Sequence, residues 1–207
     1  GKTALWFAII WTATAQIWEL MLGPWVAAAP FVGLLLAWAY SAPPIRLKLN
    51  GWWGNSAVGL SYEGLAWVTG AAIVLGGDLP GGPILIIALL YSIGAHGIMT
   101  LNDFKSVEGD LKMGIRSLPA QLGRERAAWV ACLFMLVPQL VVVGLLLQWQ
   151  LSPFAAAIAV VVVAQLLAMK RLLSDPKRLA PWYNATGVSL YVLGMMSAAI
   201  GLGGWLT

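Results

Sequence analysis

Three acidic residues fall in one short run, Asn102-Asp103-Phe104-Lys105-Ser106-Val107-Glu108-Gly109-Asp110. Carboxylates and an amide carbonyl are hard oxygen donors suited to Mg²⁺. That ion takes one or two carboxylates and fills its shell with water and substrate phosphates. The set Asn102, Asp103, Glu108 and Asp110 is therefore a candidate metal site. Lys105, Lys112 and Arg116 flank the acids. Acids beside bases fit a magnesium-bridged diphosphate, in which the metal joins carboxylate to phosphate and the cations neutralise the remaining oxygens. Were the run one helix, Asp103 and Asp110 would share a face at i and i+7, although Gly109 argues against continuity. A solvated loop of mixed charge has the same composition and stays open as a reading.

The stretch Tyr40-Ser41-Ala42-Pro43-Pro44-Ile45-Arg46-Leu47-Lys48 is a second basic element. Its prolines predict a stiff, extended loop with Arg46 and Lys48 alternating onto one side, within reach of the same phosphates. Topology-setting charge alone would also account for it. Glu63 and His96 are ionisable residues inside apolar stretches. Their sequence positions put them about 10 Å and about 8 Å below the basic end of the helices that carry them. Charges at such depth are costly, so these residues are expected to face a cavity rather than lipid. His96, Met99, Thr100 and Asp103 follow helical spacing, so His96 and Asp103 share a face. Glu63 and His96, at similar depth, are expected to line one cavity, unless each is a helix–helix hydrogen-bonding residue. One histidine makes no metal cluster.

These residues need elements to hold them. Of the 207 residues, 60% are hydrophobic and 10% charged, with a mean hydropathy of +0.84. That excludes an ordinary soluble domain, a disordered chain and a disulfide scaffold. It leaves an all-α, polytopic transmembrane helical bundle. Seven stretches are long enough to span: roughly 4–22, 24–40, 56–76, 83–101, 128–148, 152–169 and 184–206. Gly23-Pro24, Gly81-Gly82-Pro83 and Ser152-Pro153 mark turns at helix starts. Cys132 stands in an apolar run and can form no intrachain disulfide.

Alternating the sides sorts the charges. The N-terminus and loops 41–55, 102–127 and 170–183 fall together. They carry all 12 basic residues: Lys2, Arg46, Lys48, Lys105, Lys112, Arg116, Arg124, Arg126, Lys170, Arg171, Lys177 and Arg178. That side is cytoplasmic by the positive-inside rule, and the C-terminus lies outside. The net charge of +4 thus reports topology, and nucleic acid is not an implied partner. Trp52, Trp53, Trp129, Trp149, Trp182 and Trp205 sit near span ends, as interfacial anchors do. Residues 1–207 read as a single membrane domain in a lipid bilayer.

With these residues in hand, the run from Asn102 to Asp110, followed by Gly114, Ser117-Leu118-Pro119 and Gly123, resembles the second Asp-rich motif of the UbiA prenyltransferase superfamily. Ser106 after Phe104-Lys105, and Tyr40 to Lys48 followed by Gly51-Trp52-Trp53-Gly54, resemble its chlorophyll and bacteriochlorophyll branch. Tyr62-Glu63-Gly64-Leu65, Gly94 to Thr100 and Pro181-Trp182-Tyr183-Asn184 resemble the bacteriochlorophyll form. The resemblance implies a nine-helix fold with a central cavity near the cytoplasmic surface and two Asp-rich motifs. Seven spans and the second motif are recognisable here. The first two helices and first motif are expected upstream of Gly1, and the chain alone is expected to be inactive.

The implied reaction is Mg²⁺-dependent esterification of the bacteriochlorophyllide propionate with a geranylgeranyl or phytyl group from its polyprenyl diphosphate. Asp103 and Asp110, with Asn102 and Glu108, would hold the metal. Arg46, Lys48, Lys105, Lys112 and Arg116 would bind diphosphate, and Tyr40, Glu63 and His96 would line the acceptor cavity. The implied setting is the bacterial inner or intracytoplasmic photosynthetic membrane, with pigment-assembly proteins as plausible partners. A chlorophyllide or aromatic acceptor, or a pigment-binding protein without catalysis, remain as alternatives.

Overall fold

Glycine and proline punctuate the chain where helices begin. The computed structural model describes residues 2–204. α1 (Lys2–Leu22) and α2 (Pro24–Ser41) are divided by Gly23, whose φ of 146° is a conformation that side-chain-bearing residues rarely adopt. Pro24 then opens α2, where its missing N–H costs nothing. α3 (Gly51–Gly59) passes through a π turn, Leu60–Gly64, into α4 (Leu65–Val74). α5 (Gly82–Asp103) follows, with Pro83 in its first turn. Two short helices, α6 (Val107–Lys112) and α7 (Leu118–Leu122), lead to α8 (Arg124–Gln148), α9 (Ser152–Ser174) and α10 (Pro176–Gly203).

Seven of these segments are long and apolar enough to cross a membrane, with α3 and α4 counting as one. This is the expected number, in the expected places. α3 and α10 begin furthest ahead of what hydropathy suggests. α3 starts at Gly51 because Asn50 caps it, its Oδ1 accepting from the Trp52 N–H at 3.0 Å. α10 starts at Pro176 because the Asp175 carboxylate accepts from the Arg178 N–H at 3.2 Å. Caps of this kind carry a helix into polar sequence that an apolar window does not include.

α5 is the hub, with Ile87, Ala88, Tyr91, Ala95, Thr100 and Leu101 buried. It packs on α8 through Ala127, Ala128, Ala131 and Met135, which are also buried. Deep between α8, α9 and α10, the fully buried Gln139 donates to Gln165 Oε1 at 2.6 Å, and Gln165 donates to Tyr183 Oη at 3.4 Å. The Tyr191 hydroxyl ties α10 to α5 by donating to the Tyr91 carbonyl at 2.8 Å. Polar glue of this type stands in for hydrophobic drive where the surroundings are themselves apolar. The outward faces are coated with exposed Trp6, Trp11, Trp18, Leu167 and Val160, as lipid contact demands. At the basic end, Arg171 lies over the Trp182 ring, 4.4 Å from its centroid. Trp205, expected as an anchor, lies outside the described residues.

Candidate active site

α5 ends at Asp103, the chain turns over residues 104–106, and α6 carries Asp110. The acidic run is therefore not one helix. The turn nevertheless returns Asp110 to Asp103, because Phe104 and Val107 bury their side chains on either side of it. Both carboxylates line one polar cavity of about 230 Å³, together with Tyr40, Lys48, Asn55, Ser106 and Ser117. Ser106 Oγ joins the two halves, with its oxygen 3.0 Å from Asp110 Oδ2 and 3.1 Å from the Asp103 carbonyl. From α3, Asn55 Nδ2 donates to Asp103 Oδ2 at 3.2 Å and to Thr100 Oγ1 at 3.3 Å. Asn55 is buried, so this amide fixes the orientation of the Asp103 carboxylate.

Two loops close the basic end of the cavity by pairing backbones. The Arg116 N–H donates to the Leu49 carbonyl at 3.0 Å, and the Gly51 N–H to the Arg116 carbonyl at 2.8 Å. A Cβ on Gly51 would stand 2.6 Å from the Leu118 nitrogen, so only glycine permits this approach.

An apolar chamber of about 540 Å³ adjoins the polar one between α2, α3 and α5. Tyr40 lines both. On α3, Gly51, Gly54, Asn55 and Val58 follow i, i+3, i+4, i+7 spacing and form one wall of the pair. Tyr62 then links this chamber to a groove of about 570 Å³ between α4, α5 and α10, which Glu63 lines from the π turn.

The structure thus brings together Asp103, Asp110, Lys48 and Tyr40 and separates the other candidates from them. Asn102 faces the apolar chamber, and its Oδ1 accepts from Asn184 Nδ2 at 2.8 Å. Glu108, Lys105, Lys112 and Arg116 are exposed and absent from the cavity wall. The proline-rich loop is not extended. Arg46 takes a left-handed φ of 46°, and Lys48 sits in the following 3₁₀ turn, Leu47–Leu49. That reversal breaks the alternation, so Lys48 turns inward and Arg46 outward. His96 lines neither of the two chambers nor the groove of Glu63. Its Nδ1 lies 3.2 Å from Ser56 Oγ, and its ring stacks on Phe134 at 4.3 Å, near Trp52 at 5.7 Å. Trp52 and Ser56 stand one turn apart on a face of α3 that the chambers do not use. Asn55 was not singled out from sequence, and Ser117 entered only as part of the Ser117-Leu118-Pro119 stretch with no role of its own, since an amide and a hydroxyl gain meaning only from their tertiary neighbours.

Among the described residues no group of three or more His, Cys, Asp or Glu forms a metal cluster. Two carboxylates beside hydroxyls and a lysine suit a hard divalent cation that shares its shell with phosphate oxygens. The donor set therefore fits a cation bound jointly with an anionic substrate.

An all-helical membrane bundle with such a polar pocket beside an apolar chamber is the framework of a membrane-embedded transferase. The sequence profile of the UbiA prenyltransferase family matches residues 1–193, and the chain belongs to that family as an integral membrane protein. It is 52% identical over 204 residues to the bacteriochlorophyll synthase 33 kDa chain of Cereibacter sphaeroides, covering 99% of this chain and 67% of that protein. It is 47% identical to the protein of the same name from Rhodobacter capsulatus, covering 99% and 68%. A solved structure of digeranylgeranylglyceryl phosphate synthase superposes with a TM-score of 0.73 at 20% identity, covering 96% of this chain and 68% of that one. That likeness shows the fold.

Proposed function

We propose that the protein joins a geranylgeranyl or phytyl group to the propionate carboxylate of bacteriochlorophyllide. The observation that carries this reading is the polar cavity of Asp103, Asp110 and Lys48 set directly against an apolar chamber. The similarity to bacteriochlorophyll synthases supports the acceptor. The allylic C–O bond breaks with its electron pair leaving on diphosphate. A carboxylate oxygen of the acceptor forms the new C–O bond, giving ester and inorganic diphosphate. The acceptor carboxylate is already ionised, so no general base is needed.

Mg²⁺ held by Asp103 and Asp110 would offset the charge of the departing diphosphate. Lys48 neutralises further phosphate charge at the cavity wall. Arg46, Lys105, Lys112 and Arg116 add a positive field at the exposed basic end, which draws the anionic donor in. The apolar wall of α2 and α3 keeps water from the allylic cation. Tyr40, between the compartments, and Glu63, in the adjoining groove, contact the acceptor. The basic end faces the cytoplasm of a bacterial inner membrane, where pigment-assembly proteins receive the product.

The test is a transfer assay on membranes carrying this chain with its expected upstream helices restored, supplied with geranylgeranyl diphosphate, Mg²⁺ and one of two acceptors. Esterified bacteriochlorophyllide a is the expected product. Prenylated 4-hydroxybenzoate in its place would transfer the reading to an aromatic acceptor. No product from either, in folded protein, would favour pigment handling without catalysis.

A further inference from the structure

Ser117 occupies the N-cap position of α7 without capping it. An N-cap serine ordinarily accepts from the amide of the second or third helical residue. Here the second is Pro119, which has no N–H, and the side chain makes no capping bond. The residue is 4% exposed, and its Oγ is buried without any hydrogen-bond partner. It nonetheless lines the cavity of Asp103, Asp110 and Lys48.

Its backbone is fixed on both sides. Arg116 is paired to the loop before α3, and the Ser117 carbonyl accepts from the Gln121 N–H at 2.9 Å. Leu118 beside it is fully buried. A buried hydroxyl with no partner is costly, and a rigid backbone gives it no easy escape. Such a group is paired once the cavity is filled. The cavity offers Ser117 the occupant that Lys48 and a carboxylate-bound cation would select: an anion rich in acceptor oxygens.

We propose that the Ser117 hydroxyl donates a hydrogen bond to an oxygen of the bound diphosphate. It is then a substrate-binding residue contributed by the α6–α7 loop to the cavity of the acidic residues. The assignment rests on the reading of this cavity as the diphosphate site.

The experiment uses the chain with its expected upstream helices restored, in detergent or nanodiscs, and titrates it calorimetrically with inorganic diphosphate in the presence of Mg²⁺. Ser117→Ala is expected to weaken diphosphate binding about tenfold, the usual loss of a hydrogen bond to a charged acceptor. Ser117→Thr, which keeps the hydroxyl, stays within about threefold of the parent. In turnover, the KM for prenyl diphosphate rises in Ser117→Ala while the KM for the acceptor does not. Melting of the unliganded proteins separates binding from folding. If Ser117→Ala does not fold, Ser117→Cys, similar in size and a poor donor, takes its place with the same expected loss. A folded Ser117→Ala that binds diphosphate as tightly as the parent overturns the proposal and leaves the cavity assignment standing. A parent protein that does not bind diphosphate overturns both.

Discussion

Asp103 and Asp110 reach the same cavity from different helices, while Glu108, only two positions from Asp110, is exposed on the outside of α6. The difference can be measured. Asp103→Asn and Asp110→Asn are each expected to lower turnover by about 10²–10³-fold, the scale of losing a group that offsets developing charge. Glu108→Gln is expected to stay within about twofold of the parent, as exposed substitutions do. Equal losses in all three variants would return Glu108 to the site. Asn55 acts one step removed, through its bond to Asp103. Asn55→Ala leaves that carboxylate free to rotate. It should lower kcat/KM by about 10–100-fold, the worth of a hydrogen bond to a charged group. Asn55→Asp should do worse, since it places a carboxylate against a carboxylate. The acidic pair was legible in sequence because carboxylates cluster rarely in so apolar a chain. The roles of Asn55 and Ser117 were not, because they depend on what α3 and the α6–α7 loop pack against.

The element that most constrains the site is the junction before α3. Gly51 lets the loop after α2 and the loop before α7 share two backbone hydrogen bonds over the cavity. Gly51→Ala would drive a methyl group to 2.6 Å from the Leu118 nitrogen and push the loops apart. The expected outcome is a destabilisation of about 1–3 kcal/mol, as for other forced overpacking. A marked loss of transfer should come with unchanged helical circular dichroism. Unchanged activity would mean that the two loops need not close over the site. The long helices were legible from hydropathy, because lipid forces every backbone bond to be made within the helix. The loop of Pro43 and Pro44 was not. Its course turns on the left-handed Arg46, a conformation that residue type does not announce. The division between the chambers and His96 likewise depends on which face of α3 meets α5. Depth along a helix carries no information about that.

At the scale of the whole molecule, the seven candidate spans among the described residues and the charges support one another. With seven crossing helices, every one of the 12 basic residues falls at the same end as the acidic pair. A missed or added span would scatter them. This feature was legible because it depends on counting and not on contacts. The polar cavity lies at the same end, since α6, α7 and the loops that close it are all there. A reaction that releases diphosphate is best served if that end faces the compartment supplying the donor. Asp78, in the turn between α4 and α5, marks the opposite end and is exposed, as is Lys112 on α6. The native Cys132 is buried at 3% exposure and should stay silent towards a membrane-impermeant maleimide. In cells with a permeabilised outer membrane, Asp78→Cys is expected to label and Lys112→Cys to stay unlabelled until the inner membrane is opened. The reverse pattern would invert the protein in the membrane and move donor entry and diphosphate release to the periplasmic side.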